Sequence, residues 1–292
     1  MSAADLEQRL EGDRLRPCSP LAMQSRGWVE SAPTGRLVHT VSGHHLIALG
    51  VDQKLLPASI VRQVAKDRAF EMAAEQGFPV GRRQMRDLKM RVFEELRARA
   101  LTRRQVTRAW VDPRGGWFVV ETASAARAEQ VVETLRLALD TFAVQPFKGD
   151  RTPQLTMAHW LRHGDLPARF SIDPELELKA PDKARGSIRY SRHPFDPRQV
   201  QALLAGGMQV TRLGLTWQDR VALVLNDRLE VKRLELLGIE SDSDTAEDGD
   251  AEVDAAAKFD VDFVLMAGEL SRLLAELDAA LTPAGAVRQA AA

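Results

Sequence analysis

The sequence predicts an α+β protein with sheet-based domains and a basic helical hairpin that projects from the body. Three observations favour this fold class. Two helical patterns within 57–108 are joined by only a short turn, Gly77 to Gly81. Strand hairpins flank that pair, and the second half is richer in strand patterns. We expect an N-terminal α+β region over 1–150, a C-terminal α+β region over 151–281, and a frayed tail over 282–292.

Composition excludes several classes of protein. Lysine and arginine total 40 against 41 acidic residues, so the net charge is -1, and 45% of the residues are hydrophobic, which is ordinary for a folded chain. The single cysteine, Cys18, rules out an internal disulfide and a CxxC zinc site. There is neither a long apolar run nor a secretory leader at the N-terminus. We expect a cytoplasmic protein without a membrane partner.

The first elements are read from spacing and turn residues. Leu6 and Leu10 predict a short helix, and the segment 37–51 predicts two strands around Ser42 and Gly43. A helix should begin after Pro57 and end near Gly77. Its inward side chains are expected to be Ile60, Val61, Val64, Ala65, Ala69, Met72 and Ala73.

The stretch from Arg82 to Arg108 carries a concentrated positive charge. It contains ten basic and three acidic residues, so ten minus three gives +7. Its first part has a helical apolar stripe, formed by Met85, Leu88, Val92, Leu96 and Ala100. Arg83, Arg86 and Arg97 fall together on another flank, and Arg83 to Arg97 spans roughly 21 Å. This flank is suited to a polyanion. The alternative is a solvated face whose arginine stems cover apolar surface.

The later elements follow in order. A β-hairpin is predicted around the turn 112–116, followed by an amphipathic helix that ends near Phe142. The segments Val221–Leu225, Leu229–Leu234 and Val261–Met266 are expected to be strands. The acidic run 240–254 predicts a solvated loop. A closing helix carries Leu270, Leu273, Leu274, Leu277 and Leu281.

No catalytic motif is present in the sequence. The phosphate-loop, dinucleotide-binding and serine-elbow patterns are all missing. His159 and His163 would share a helix face, but no third metal ligand accompanies them. We therefore expect no enzyme activity, no catalytic residue, no metal and no cofactor.

Several ordered stretches resemble the RdgC family of recombination-associated proteins. The clearest is Phe259–Leu270, which reads FDVDFVLMAGEL. The others are Lys54–Pro57, Ala123-Ser124-Ala125 with Ala128-Glu129 and Leu135-Arg136, Leu155-Thr156 with Trp160, the set Leu215, Trp217 and Arg220, and Lys232–Leu234. The resemblance as a whole extends from about residue 17 to 281.

The resemblance implies a homodimer closed into a ring that encircles or coats single- or double-stranded DNA without sequence preference. Such a protein restrains RecA-type recombinases, including at replication forks, and is nucleoid-associated. The residues expected to bind DNA are Arg82, Arg83, Arg86, Lys89, Arg97, Arg99, Arg103, Arg104, Arg189, Arg192, Lys232 and Arg233. The alternative function is a protein-interaction factor whose basic helical arm binds an acidic protein partner.

Two departures from the family pattern concern the subunit contact and the start of the chain. Relatives carry an aromatic residue after the basic helix, at the dimer interface, where this chain has Leu101. Relatives also begin with an extra strand before the segment that matches Leu6 onward. Either the gene start is placed too late or the sheet has lost an edge strand, and we favour the late gene start.

Overall fold

The computed structural model describes residues 2–139, 141–149, 152–181, 186–238 and 251–281, with side chains of the last segment from 255. Within these ranges it is a mixed α+β protein with two five-stranded sheets and seven helices, which confirms the predicted fold class at this level. The chain forms two compact units. The first comprises 1–111, 118–121 and 126–142, and the second comprises 112–117, 122–125 and the rest from 143.

The first unit is a sheet with helices. Its elements are α1 (Ala3–Glu11), β1 (Gln24–Val29), β2 (His39–Val41), β3 (His44–Lys54), α2 (Ala58–Gln76), α3 (Arg82–Arg99), β4 (Thr102–Asp112), β5 (Trp117–Val120) and α4 (Ala125–Ala138). The strand order is β1-β3-β4-β5, and β2 pairs with β3. A core that includes Leu10, Trp28, Ile47, Leu49 and Leu135 packs against this sheet.

The hairpin predicted around Ser42 and Gly43 is confirmed. Both residues have a positive φ, 51° and 87°, which is the backbone that a two-residue hairpin turn requires. The expected helix at Leu6 and Leu10 is α1, and both leucines are buried.

The outer side of β1 is partly covered by the chain itself. The N–H of Leu15 donates to the Trp28 carbonyl and the N–H of Trp28 donates to the Asp13 carbonyl, each at 2.9 Å. A Cβ on Gly27 would lie 2.5 Å from the Leu15 backbone, so only glycine permits this approach. The segment before β1 therefore takes a place beside the sheet edge.

The second unit holds the other sheet. Its elements are α5 (Pro153–His163), β6 (Phe170–Lys179), β7 (Ser187–Ser191), α6 (Pro197–Ala205), β8 (Gln209–Trp217), β9 (Val221–Asn226), β10 (Val231–Leu236) and α7 (Ala251–Leu281). The strand order is β10-β9-β8-β6-β7. Every residue of β9 is buried, because it lies inside the sheet. The two strands expected around Asn226 are β9 and β10.

The prediction of a strand at Val261–Met266 is wrong, because this segment lies inside α7. Its valine and phenylalanine content suggested a strand, but burial follows a helical period. The buried residues of α7 are Phe263, Ala267, Leu270, Leu273, Leu277 and Leu281, whereas Val261 and Leu265 are exposed. Residues 251–254 of the expected acidic loop also belong to this helix, so that part of the loop prediction is wrong. The remainder of the loop, from 240 to 250, and the tail 282–292 lie outside the described residues.

Candidate nucleic-acid interface

Two antiparallel helices, α2 and α3, form the candidate arm. Their shared core consists of Val61, Ala65, Ala69, Leu88 and Val92. Leu88 and Val92 belong to the apolar stripe read from the sequence, and Met85 and Leu96 pack against the same core. Ile60, expected inward, is exposed instead, because it lies in the first turn of α2 outside this packed stripe.

The turn between the helices is held by hydrogen bonds. Gly77 ends α2 in the left-handed conformation, with its N–H bonded to the Ala73 carbonyl. The side-chain oxygen of Gln84 accepts from the Gly81 N–H at 2.9 Å, and its amide donates to Gln76 at 3.4 Å. Gln76 in turn donates to the Phe78 carbonyl at 2.9 Å. This network fixes where α3 begins.

An ion pair ties the two helices together nearer the sheet. Arg68 of α2 donates to both carboxylate oxygens of Glu95 in α3, at 2.7 and 3.1 Å. These hydrogen bonds lower the pKa of Glu95 and raise the pKa of Arg68. The pairing neutralises one of the few acidic groups on α3.

The outer flank of α3 presents unpaired cations. Arg82, Arg83, Arg86 and Lys89 are all exposed. Within the part of the chain that the structure describes, none of these four makes an ion pair. We call these four residues the α3 cation face. Arg83 and Arg86 lie about 60° apart around the helix, and Arg86 and Arg97 about 20° apart. The face therefore combines positive charge with free hydrogen-bond donors.

Other predicted cations of this region differ in their surroundings. Arg97 is half-buried, with its guanidinium 5.5 Å from the centre of the Phe93 ring. Arg99 is exposed in the last turn of α3, and Arg103 is exposed on β4. Arg104 donates to both oxygens of Asp52 at 2.8 and 2.9 Å. The pair occupies the Arg104 guanidinium. Its hydrogen bonds and positive charge lower the pKa of the buried Asp52, although burial by itself acts to raise it.

The second unit gathers its predicted cations into one open groove. Arg189, Arg192, Lys232 and Arg233 all line it, together with Arg212, which the sequence analysis did not single out. They come from β7, β8 and β10 and from the residue after β7. The cross-strand register that assembles them has no signal in a single sequence.

Carboxylates beneath the groove neutralise most of its charge. Arg233 pairs with Asp173 at 3.2 Å and with Glu175 at 3.0 Å, and Arg212 pairs with Glu177 at 3.5 Å. Arg189 lies 3.7 Å from Glu175, and Lys232 pairs with Glu230. Glu177 also pairs with Lys179 at 3.0 Å, and four of the five lining cations have an ion-pair partner among the described residues. The groove is thus a weaker attractor than the α3 cation face.

The histidine pair and the cysteine do not form a metal site with the groups around them. His159 and His163 share one face of α5, with ring centres 4.6 Å apart, and His159 bonds Asp165 at 2.6 Å. The Cys18 thiol is free and lies 3.5 Å from the Ala22 carbonyl. Across the described ranges, no three histidine, cysteine or acidic side chains are placed to hold a metal ion. Nor does any described helix have the length and apolar character to cross a membrane.

Leu101 immediately precedes β4 and is 78% exposed. Its carbonyl accepts from the Leu55 N–H at 2.8 Å, and Leu55 is exposed as well. The two leucines form a small apolar surface at the base of the arm, which we call the Leu101 patch.

An α+β fold with a helical hairpin of unpaired cations belongs to the class of proteins suited to polyanions. Comparison with known proteins identifies the family. The family model described as "Putative exonuclease, RdgC" matches residues 1–283. The chain therefore belongs to the RdgC family.

Relatives that are each named "Recombination-associated protein RdgC" cover nearly the whole chain. The protein from Dechloromonas aromatica (strain RCB) is 42% identical over 283 residues, which is 95% of this chain and 91% of the relative. The protein from Cupriavidus necator is 40% identical over 283 residues, covering 96% and 93%. The protein from Herminiimonas arsenicoxydans is 38% identical over 282 residues, covering 96% and 92%. The family description names an exonuclease, whereas the names of these relatives state no catalytic activity.

Proposed function

We propose that this chain is a DNA-binding protein without sequence preference that acts in recombination and restrains RecA-type recombinases. The observation that carries the proposal is the α3 cation face, with four exposed side chains that lack ion pairs within the described residues. Family membership supports the recombination role, because the relatives bear the name recombination-associated protein.

The physical basis of binding is contact with phosphates. Arginine and lysine that neutralise phosphates release condensed counterions, which supplies affinity without reading bases. The α3 cation face lies on an exposed helix flank, so phosphates can approach it without displacing a bound carboxylate. The groove of the second unit offers further contacts, and there the carboxylates already hold the guanidinium groups in place.

Restraint of recombination follows from occupancy. A protein that coats or encircles DNA denies the same phosphates to a recombinase filament, including at replication forks. Encirclement requires two protomers, and the Leu101 patch supports a homodimer because an exposed leucine pair gains stability when a second copy covers it.

DNA binding is tested by anisotropy titration of the full chain with two duplexes of unrelated sequence and with single strands of the same length. We expect similar affinities for both duplexes and a steep loss of affinity with salt. The combined variant Arg83→Glu and Arg86→Glu should bind none of these DNAs while keeping its melting temperature. Strong preference for one duplex, or undiminished binding by the variant, would contradict the proposal. Binding only to an acidic protein would favour the interaction-factor alternative.

The homodimer is tested by sedimentation of the variant Leu101→Glu. A charge at this position should dissociate the dimer, because the carboxylate would have to be buried in the contact. The matched control is Leu137→Glu, at a leucine of α4 that is 77% exposed and lies outside the patch. Dissociation by the control alone, or by neither variant, would place the contact elsewhere.

A further inference from the structure

The turn of the hairpin exposes the larger Phe78, whereas the smaller Val80 is partly buried. Phe78 is 58% exposed, whereas Val80, two residues later, packs against the core of the hairpin. Hydrophobic burial alone would favour the opposite arrangement, since phenylalanine offers more apolar area than valine. The turn from Gly77 to Gly81 thus places its largest apolar side chain on the surface, at the tip of the arm.

The exposed ring is presented from a fixed backbone. The backbone carbonyl of Phe78 accepts a hydrogen bond from the Gln76 side chain. The side chains of Gln76 and Gln84 in turn connect both ends of the turn. Gly77 and Gly81 terminate the flanking helices at defined residues. Because this backbone is already ordered, binding through the ring costs no ordering of the turn, which favours its use as a contact surface.

The α3 cation face begins four residues after this ring in the chain. Arg82 follows Phe78 by four residues, and four residues span at most about 14 Å. A base that stacks on Phe78 would therefore leave its neighbouring phosphates within reach of Arg82 and Arg83. An aromatic platform next to unpaired cations is the combination that binds single-stranded nucleic acid without sequence preference.

We propose that Phe78 is a base-stacking residue, so that the tip of the arm binds unpaired nucleotides of a DNA strand. This inference rests on the proposed DNA-binding function and specifies unpaired nucleotides as the ligand of the arm's tip. In a duplex the bases are already stacked on one another, so Phe78 has no free base face to cover. The ring therefore contributes to single-strand binding and leaves duplex binding to the cations.

The hairpin supplies a matched control at Phe70. This residue is 80% exposed on α2 and lies about 140° around the helix from Ala65, which faces α3. Phe70 is thus an even more exposed phenylalanine on the same arm, and it lies on α2, away from the side that packs against α3. Phe70→Ala and Phe78→Ala each remove one surface phenylalanine, so a difference between the two variants reflects the position of the ring on the arm.

The test compares three ligands with the full chain: an oligothymidine strand, an abasic strand of equal length, and a duplex. Phe78→Ala should weaken oligothymidine binding about 5- to 150-fold, the range for loss of one stacked base. Binding of the abasic strand and the duplex should change less than about twofold, since both lack a free base face. Phe78→Trp should restore oligothymidine binding, and Phe70→Ala should leave all three affinities unchanged.

Several outcomes would overturn the inference. Equal effects of Phe78→Ala on the oligothymidine and abasic strands, or no effect on either, would remove the stacking role. A changed sedimentation of the free Phe78→Ala protein would assign the ring to a subunit contact. The combined variant Arg83→Glu and Arg86→Glu distinguishes failure of the stacking role from failure of DNA binding as a whole. If it abolishes DNA binding while Phe78→Ala has no effect, only the stacking role fails; if the unaltered chain binds no DNA, both proposals fail.

Discussion

Replacing Arg83 and Arg86 with alanine removes half of the α3 cation face. Each phosphate neutralised on duplex DNA contributes about -0.9 to the slope of log affinity against log salt. Four unpaired cations therefore give a slope of about -3.6 per protomer, and the double variant should retain about -1.8. Between 50 and 200 mM salt, the affinity of the unaltered chain should fall about 150-fold and that of the variant about 12-fold.

The structure provides a control on another side of the same helix. Arg91 is exposed on α3 and makes no ion pair within the described residues, but it lies about 140° around the helix axis from Arg86. Arg91→Ala should leave the slope close to that of the unaltered chain. All these side chains are exposed, so each change in the free energy of unfolding should stay within about 0.5 kcal/mol.

The assay is fluorescence anisotropy of a labelled duplex at five salt concentrations, with the melting temperature of each variant measured on the same preparation. The reasoning is refuted if Arg91→Ala reduces the slope as much as the double variant does. In that case the DNA would respond to the total charge of the arm and not to one face. If the slope of log affinity against log salt is near zero for the unaltered chain, phosphate contact does not contribute to its binding.

Two further predictions concern stability. Asp52→Asn should lower the free energy of unfolding by about 1–2 kcal/mol at neutral pH, because it breaks a charged hydrogen-bonded pair with Arg104. The pKa of Asp52 is lower in the folded chain than its ordinary 3.8, so this contribution is present above pH 3.8 and is lost as pH falls through the folded pKa. Denaturant melts of the two proteins should therefore converge at low pH. A stability difference that stays constant with pH would contradict the pairing. Glu276→Ala should cost about 1–3 kcal/mol, since Glu276 accepts from the buried Trp217 indole N–H at 2.7 Å. Glu276→Gln keeps an acceptor and should recover most of that loss in the same melts, whereas equal losses would mean that the carboxylate charge matters instead.

The two helices of the candidate arm could be predicted from the sequence because their information is local. The stripe through Leu88 and Val92 and the flank of Arg83 and Arg86 are both fixed by helical periodicity within one short stretch. Turn residues Gly77 and Gly81 then mark the two helix ends. No partner from elsewhere in the chain is needed to place these side chains on opposite sides of α3.

What the sequence could not show depends on contacts between distant residues. Arg104 has the appearance of a free cation until β3 and β4 pair and place it directly opposite Asp52. Arg212 gains significance only when β8 lies beside β6 and Arg212 stands opposite Glu177. In α7 the local composition misled, because Val261–Met266 has strand-forming residues while Phe263 and Ala267 continue a helical stripe. Strand register and long-range burial are decided by the whole fold.

Local charge, and not the net charge of -1, decides whether this chain attracts a polyanion. Screening at physiological ionic strength acts over about 8 Å, so only charges that lie close together act jointly on an approaching phosphate. Successive members of the α3 cation face, such as Arg83 and Arg86, are about 4.5 Å apart along the helix axis and so lie within that distance. The groove cations also line one site, but their carboxylate partners lie within ion-pair distance and cancel most of their field. A mutation that frees the groove, such as Glu175→Gln, should therefore add positive field there, whereas removal of an acid far from either surface should leave DNA affinity unchanged.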